Sequence, residues 1–261
     1  MSSFSVVRHS AANAFADLRA VYTWRVWVFG WLGRMLAQVT FFTLLAQGAG
    51  AERTAYLALG NCVMICALEC MSVVASTTWE RISGTLVLLA AAPAKPVWVF
   101  FGRSLQWPLS GSGTSLVALL ALAPWFGVTW RPAQVPVLVL LVVLTALTTY
   151  CFGLFLAALV LNTGGIRNIV SNTAQLLMMI VCGVNVPVGQ WPLPVRAVAD
   201  VLPLTHALRA IRLLAADSGT ASVALAASEA LLCGAVWLAG AYVAFDAFMN
   251  RGRRAGGTDY F

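Results

Sequence analysis

Six stretches of the chain, residues 27–47, 56–77, 104–126, 136–161, 169–186 and 223–248, are each apolar over close to the length that carries a helix through a bilayer. Crossing the hydrocarbon layer takes about 20 mainly apolar residues. Lipid offers the backbone no hydrogen bonds, so only helices and closed barrels span it. Runs this long select the helix, and the expected fold class is all-α integral membrane with six transmembrane helices. Composition agrees, with 61% hydrophobic and 10% charged among 261 residues, against roughly half and a quarter in a soluble domain. No polar block separates the runs. Residues 1–261 are therefore read as a single transmembrane domain, with an interface helix in 1–25, a six-span core in 26–250 and a tail in 251–261. The third run is interrupted by Pro108 and by Ser110, Gly111, Ser112, Gly113, Thr114 and Ser115, and residues 97–101 are an alternative beginning for it.

The net charge of +7 comes from basic residues scattered between the apolar runs, without the basic stripe interleaved with aromatics that a nucleic acid would need. No nucleic-acid partner is expected. The scatter reads instead as topology. Six spans put both termini on one side, and placing them inside gives that side Arg8, Arg19, Arg25, Arg81, Lys95, Arg103, Arg167, Arg251, Arg253 and Arg254. The other side keeps Arg53, Arg131, Arg196, Arg209 and Arg212. By the positive-inside rule both termini are expected in the cytoplasm of a multi-pass protein of the plasma (inner) membrane. Trp24, Trp27, Trp31, Trp98, Trp107, Trp125 and Trp130 fall mostly near the span ends, where indoles anchor at headgroup depth. The N-terminus lacks a short apolar region ending in a small-residue cleavage site, so no cleaved signal peptide is expected.

Three segments outside the spans are patterned. Phe4, Val7, Ala11, Phe15, Leu18 and Tyr22 recur at spacings of three and four, which predicts an amphipathic helix lying along the membrane surface. In the inner connection 78–103, Trp79, Ile82, Leu86 and Leu89 repeat likewise beside Glu80, Arg81 and Ser83, and Pro93 stops the helix they predict. In the outer stretch 187–214, Pro187, Pro192, Pro194 and Pro203 break a sequence too apolar for a solvated loop, which predicts short re-entrant or interfacial helices.

Two of these patterns carry a family resemblance. Trp79, Glu80 and Arg81, then Gly84, Thr85 and Leu86, then Pro93, then Gly102 and Arg103 resemble the cytoplasmic E-x-x-x-G-T-L, proline, G-R pattern of the ABC-2 class of ATP-binding-cassette exporter permeases. Val186 and Pro187, Leu193 and Pro194, and the run from Leu202 and Pro203 through Leu204, Thr205, His206, Ala207 and Leu208 to Arg209 are similar to that class's proline-rich exit from the fifth span. Trp79 and Ile82 do not map onto the pattern, and Arg34 inside the first span departs from it. The resemblance implies a dimer with a second copy or a close relative, and a separate nucleotide-binding subunit that holds ATP and Mg. The surface helix and the 78–92 helix would rest on that subunit. Trp79, Glu80, Arg81, Gly84, Thr85, Leu86 and Pro93 would couple it to the spans, and Pro187, Pro203, His206 and Arg209 would shape an outer gate. The implied cargo is hydrophobic or amphipathic: a drug, a natural product, a lipid-linked glycan or a peptide.

The chain itself carries no chemistry of that kind. A phosphate-binding loop ends in Lys and Ser or Thr, and the single lysine, Lys95, lies between Ala94 and Pro96. Nucleophilic catalysis has no candidate constellation, and no cofactor is expected in this chain. Cys62, Cys66 and Cys70 fall on one helix face beside Glu69, either as a metal-transporting stripe or as small residues packing in a span. His9 and His206 lie on opposite sides of the membrane in this topology. Ionisable residues inside spans are functional candidates by default, which singles out Arg34, Glu69 and Glu229, with Asn61 as a polar companion. Arg34 and one glutamate would either form a structural ion pair or line the path and meet a charged part of the cargo. The alternative function is an ion-gradient-driven secondary transporter or channel, with Glu69, Glu229 and Asp246 as proton carriers. An integral-membrane enzyme has no catalytic cluster to stand on.

Overall fold

The computed structural model describes residues 3–21, 23–82, 96–161 and 166–255, all helical or irregular and without a strand among them. Five helical stretches are long and apolar enough to cross a membrane: Val26–Leu45, Ala51–Thr77, Trp98–Phe126, Pro132–Val160 and Thr220–Phe248. They match five of the six predicted spans. The third starts earlier than residue 104, because the segment beginning at Pro96 belongs to it.

Helix α1, Ser3–Val21, precedes the first span, which opens as a wide π-helical stretch, Val26–Leu32, and continues as α2, Gly33–Leu45. The chain turns at Gly50 into α3, Ala51–Cys70. There Thr54 Oγ1 donates to the carbonyls of Gly50, at 2.9 Å, and Ala46, at 3.2 Å, stapling the two helices together. A short turn at Met71 and Ser72 separates α3 from α4, Val73–Ile82. The break therefore comes six residues before the predicted start of a separate inner helix at Thr78, and Trp79 to Ile82 prolong the second span. The rest of that expected helix, with Gly84, Thr85, Leu86 and Pro93, lies outside the described residues.

The third span is built from α5, Pro96–Ser104, and α6, Gln106–Val117. The small-residue run that interrupts it on paper stays helical because its hydroxyls find backbone acceptors. Ser112 donates to the Pro108 carbonyl at 2.7 Å, Thr114 to Ser110 at 3.0 Å, and Ser115 crosses to Cys62 on α3 at 2.9 Å. Lacking a side chain, Gly111 lets α6 approach α3 so closely that a Cβ there would sit 3.0 Å from the Cys66 carbonyl oxygen. Cys62, Cys66 and Cys70 are all buried, and Cys66 Sγ approaches the Val142 carbonyl of the following span at 3.9 Å.

Helix α7, Val135–Val160, has no charged residue; its 26 residues make about 39 Å of helix, more than the hydrocarbon thickness of about 30 Å. Two of its three threonines fold back on their own helix, Thr145 to the Leu141 carbonyl at 2.7 Å and Thr148 to Leu144 at 2.9 Å. Helix α8, Arg167–Val181, is where the prediction and the structure differ. The predicted fifth span runs over 169–186, but 15 helical residues make about 22 Å, and the helix gives out at Cys182. Gly183 takes a left-handed φ of +83°, which glycine adopts without strain, and Pro187 follows. The outer stretch then forms α9, Leu193–Val201, and α10, Pro203–Ala215, two short helices as its prolines predict. Helix α11, Thr220–Ala255, continues through the expected tail as far as Ala255.

One end of the bundle gathers α1, α5 and the C-terminal part of α11. Phe100 stacks on Phe245 at 5.1 Å between centroids, and the buried Tyr150 hydroxyl meets Ser104 Oγ at 2.6 Å and donates to the Phe101 carbonyl at 2.8 Å. Helix α1 seats on α5 at Gly102, where a Cβ would come within 2.7 Å of Ser10 Cβ and of the Val7 carbonyl oxygen. The far end gathers the start of α3, the exit from α8, and the hairpin of α10 and α11.

Candidate functional site

At the far end the chain leaving α8 is held by side chains from two other helices. Tyr56, in the second turn of α3, donates its hydroxyl to the Gly183 carbonyl at 2.8 Å. Asn61 Nδ2 donates to the Leu57 carbonyl at 2.9 Å and to Asn185 Oδ1 at 3.1 Å. Arg212 reaches in from α10, its guanidinium carbon 3.4 Å from the centre of the Tyr56 ring, with Nη2 3.4 Å from the carbonyl oxygens of Tyr56 and Val184. Burial pulls this guanidinium below its ordinary value, and Tyr56 acts the other way. Gly60 makes the approach possible, because a Cβ there would overlap the Val184 carbonyl oxygen. An unwound segment inside a bundle leaves carbonyls to be satisfied, and this network does so.

Beside it, Glu229 of α11 accepts hydrogen bonds from Arg209 and, at 3.2 Å, from His206 Nδ1, while His206 Nε2 lies 2.8 Å from the Asp200 carbonyl of α9. Both partners of the ring are acceptors, so a ring with one N–H serves one of them and a ring with two serves both. The cluster ties α9, α10 and α11 together. Pro203, the buried first residue of α10, and Pro187, which opens the turn Val188–Gln190, set the directions of these pieces.

The intramembrane candidates are thus distributed rather than assembled. Glu229, expected on a path, joins two residues expected at an outer gate. Asn61 is buried in the far-end network. Glu69 is fully buried against α6, with neither carboxylate oxygen hydrogen-bonded. The expected ion pair between Arg34 and a glutamate is not formed, since no carboxylate among the described residues pairs with Arg34. Asp246 accepts from Asn250 Nδ2 at 2.9 Å. Trp79, Glu80 and Arg81 lie on the last turn of α4, at the α1 end.

Arg34 instead faces a groove of about 410 Å3 between the first span, the junction of α3 and α4, and α8. Trp31 lies under its guanidinium at 4.9 Å, and Gln38, Ser72, Asn172 and Gln175 complete a polar wall. A charged side chain at mid-span costs about 2.5–3.5 kcal/mol if it meets lipid. A polar wall of this kind therefore belongs against water, a ligand or another protein. Sequence reasoning found Arg34 but missed Gln38, Asn172 and Gln175, although 38 is one helical turn from 34 and 172 and 175 are one turn apart. It also missed Tyr56, Gly60, Gly183 and Asn185, and counted Arg212 among the outer basic residues.

A comparison with curated proteins found no match. The sequence profile of the ABC-2 type transporters matches residues 18–215, from the end of α1 to the end of α10, and so takes in both the groove and the far-end network. A multi-pass helical bundle with this match over well over half its length is a permease of the ATP-binding-cassette transporters, and the chain belongs to the ABC-2 type transporter family.

Proposed function

We propose that this permease is the membrane-spanning subunit of an exporter that moves a hydrophobic or amphipathic cargo outward, driven by ATP hydrolysed with Mg on a separate nucleotide-binding subunit. The observation that carries this reading is the mid-span groove. Its polar wall opens on the outside of the single chain, where lipid is a poor neighbour. A second copy or a close relative set against α2 and α8 turns the groove into an enclosed path. Six crossings complete the bundle, with α8 and its unwound exit as the fifth, both termini in the cytoplasm of the inner membrane, and residues 1–261 acting as one domain. The ATPase docks at the α1 end, on α1 and the segment beginning at Trp79, Glu80 and Arg81. Cargo leaves past Pro187, Pro203, His206 and Arg209.

The rival, a carrier driven by an ion gradient, needs carboxylates free to exchange protons across the bundle. Glu229 is engaged by Arg209 and His206 and Asp246 by Asn250, which leaves Glu69, buried without a hydrogen-bond partner, as the carboxylate on which that rival would have to rest. Co-expression of the chain with its candidate ATPase partner tests the choice. The native chain is expected to co-purify and to change ATP turnover, while the combined variant Glu80→Ala with Gly84→Trp folds but uncouples. If no ATPase associates and the reconstituted chain alone moves solute down a proton gradient, the exporter reading falls.

A further inference from the structure

The groove has a pronounced charge asymmetry. Arg34 contributes a full positive charge, and no Asp or Glu lines the wall among the described residues. Gln38, Asn172 and Ser72 bring amide and hydroxyl groups with no net charge, and Gln175 keeps a second N–H beside the one it gives to Ser171 Oγ at 3.5 Å. The guanidinium carbon lies over the Trp31 ring, 4.9 Å from its centroid. A cation–π contact spends no N–H on a hydrogen bond, so the guanidinium fork keeps donors that match two oxygens of a phosphate or carboxylate. Leu176 and Met179 flank the polar wall on α8, and Leu176, Leu177 and Ile180 are exposed along that helix toward the far end. A volume of about 410 Å3 suits a headgroup and the first part of a chain, within the roughly 300–1,000 Å3 of small-molecule sites.

We infer that the groove binds an acidic amphiphile, with a phosphate or carboxylate on the Arg34 fork, its remaining oxygens on the amides of Gln38 and Gln175, and its apolar tail along α8. The inference rests on the proposed function in taking the groove as the cargo's site, and it narrows the cargo to an anionic, tailed molecule. A cationic or neutral hydrophobic cargo would leave the guanidinium without a counter-charge at mid-span.

The test is photolabelling of the full chain in phosphatidylcholine nanodiscs, without any ATPase. Three probes share one photoreactive tail: a phosphatidic acid, a fatty acid and a neutral diacylglycerol. Labelled peptides are mapped by mass spectrometry. The acidic probes are expected to label α2 and α8 about tenfold more than the diacylglycerol, the size of one charge-assisted hydrogen bond. Arg34→Gln is expected to abolish that preference and Arg34→Lys, which keeps the charge and loses the fork, to retain only part of it, with both variants eluting as the native chain does. Equal labelling by the neutral probe, or a preference that survives Arg34→Gln, overturns the inference. So does displacement of the label by an equal concentration of inorganic phosphate, which would make the anion alone the ligand. A groove that takes no label because a second copy seals it, seen as a disulfide between Gln175→Cys chains, overturns it as well. Failure here with ATPase association intact removes the cargo class and leaves the exporter, whereas Arg34-dependent labelling with no associating ATPase removes the exporter and leaves the site.

Discussion

Arg212 and Arg34 are both arginines in apolar surroundings, and the structure treats them in opposite ways. Arg212 is packed on Tyr56, faces two carbonyl oxygens and closes a network that holds an unwound segment. Arg34 rests on one tryptophan, and its polar neighbours line an open wall with it. The difference lies in where the partners come from: Arg212 leaves its buried Nε unpaired but places Nη2 between two carbonyls of its own chain. A polar group whose partners come from its own chain fixes a conformation, because breaking it strands a buried donor or acceptor. A polar group whose own chain offers no counter-charge is available to something else. The far-end network therefore reads as architecture and the mid-span groove as a place of exchange.

Substitutions can break that contrast or sharpen it. The largest effect is expected for Gly60→Val, whose side chain would have to occupy the space of the Val184 carbonyl and of Arg212. Overpacking against backbone costs about 1–3 kcal/mol and sometimes more, so the variant should lose most of its folded yield in detergent, measured by fluorescence-detected size exclusion. Arg212→Met keeps the length but removes the donors, leaving the Val184 carbonyl short of a partner. A loss of about 2 kcal/mol should appear as a lower unfolding temperature of the purified chain. Glu229→Gln retains one acceptor for His206 while discarding the charge that Arg209 meets. At a site about one third exposed solvent screening limits the loss to about 1 kcal/mol, read in the same melts. Arg34→Gln should be the mildest, within about 0.5 kcal/mol of native, with its effect confined to ligand labelling. An Arg34→Gln variant as unstable as Arg212→Met would show that the groove is architecture too, and the contrast would be gone.

Much of the bundle was legible in the sequence because length and hydropathy suffice for a span: Val135–Val160 has no charge to confuse the reading. The prolines at 187, 192, 194 and 203 foretold broken outer helices for the same local reason, a missing N–H and a fixed φ. What hydropathy cannot see is where a helix stops being a helix while staying apolar, so Cys182 to Val186 read as span when they are an exit. Contacts such as Tyr56 to Gly183, 127 residues apart, have no local signature. Glu229 is a middle case. Arg209 and Glu229 lie nearly equidistant from the turn at Gly219, so folding α10 and α11 as a hairpin would have brought them together, a cue stronger than the search for a partner to Arg34. The position of Gly102 beside Arg103 was legible as a motif, but its reason emerges only when α1 lies across it.

That crossing at Gly102 has a mechanical meaning. With no room for a side chain between the α5 backbone and Val7 and Ser10, α1 and α5 touch almost backbone to backbone, so a displacement of α1 would be felt first at α5. Next in line stand Phe245 of α11, on which Phe100 is stacked, and Tyr150 of α7, which meets Ser104. A push at that edge of the bundle would thus reach two long helices through one glycine contact.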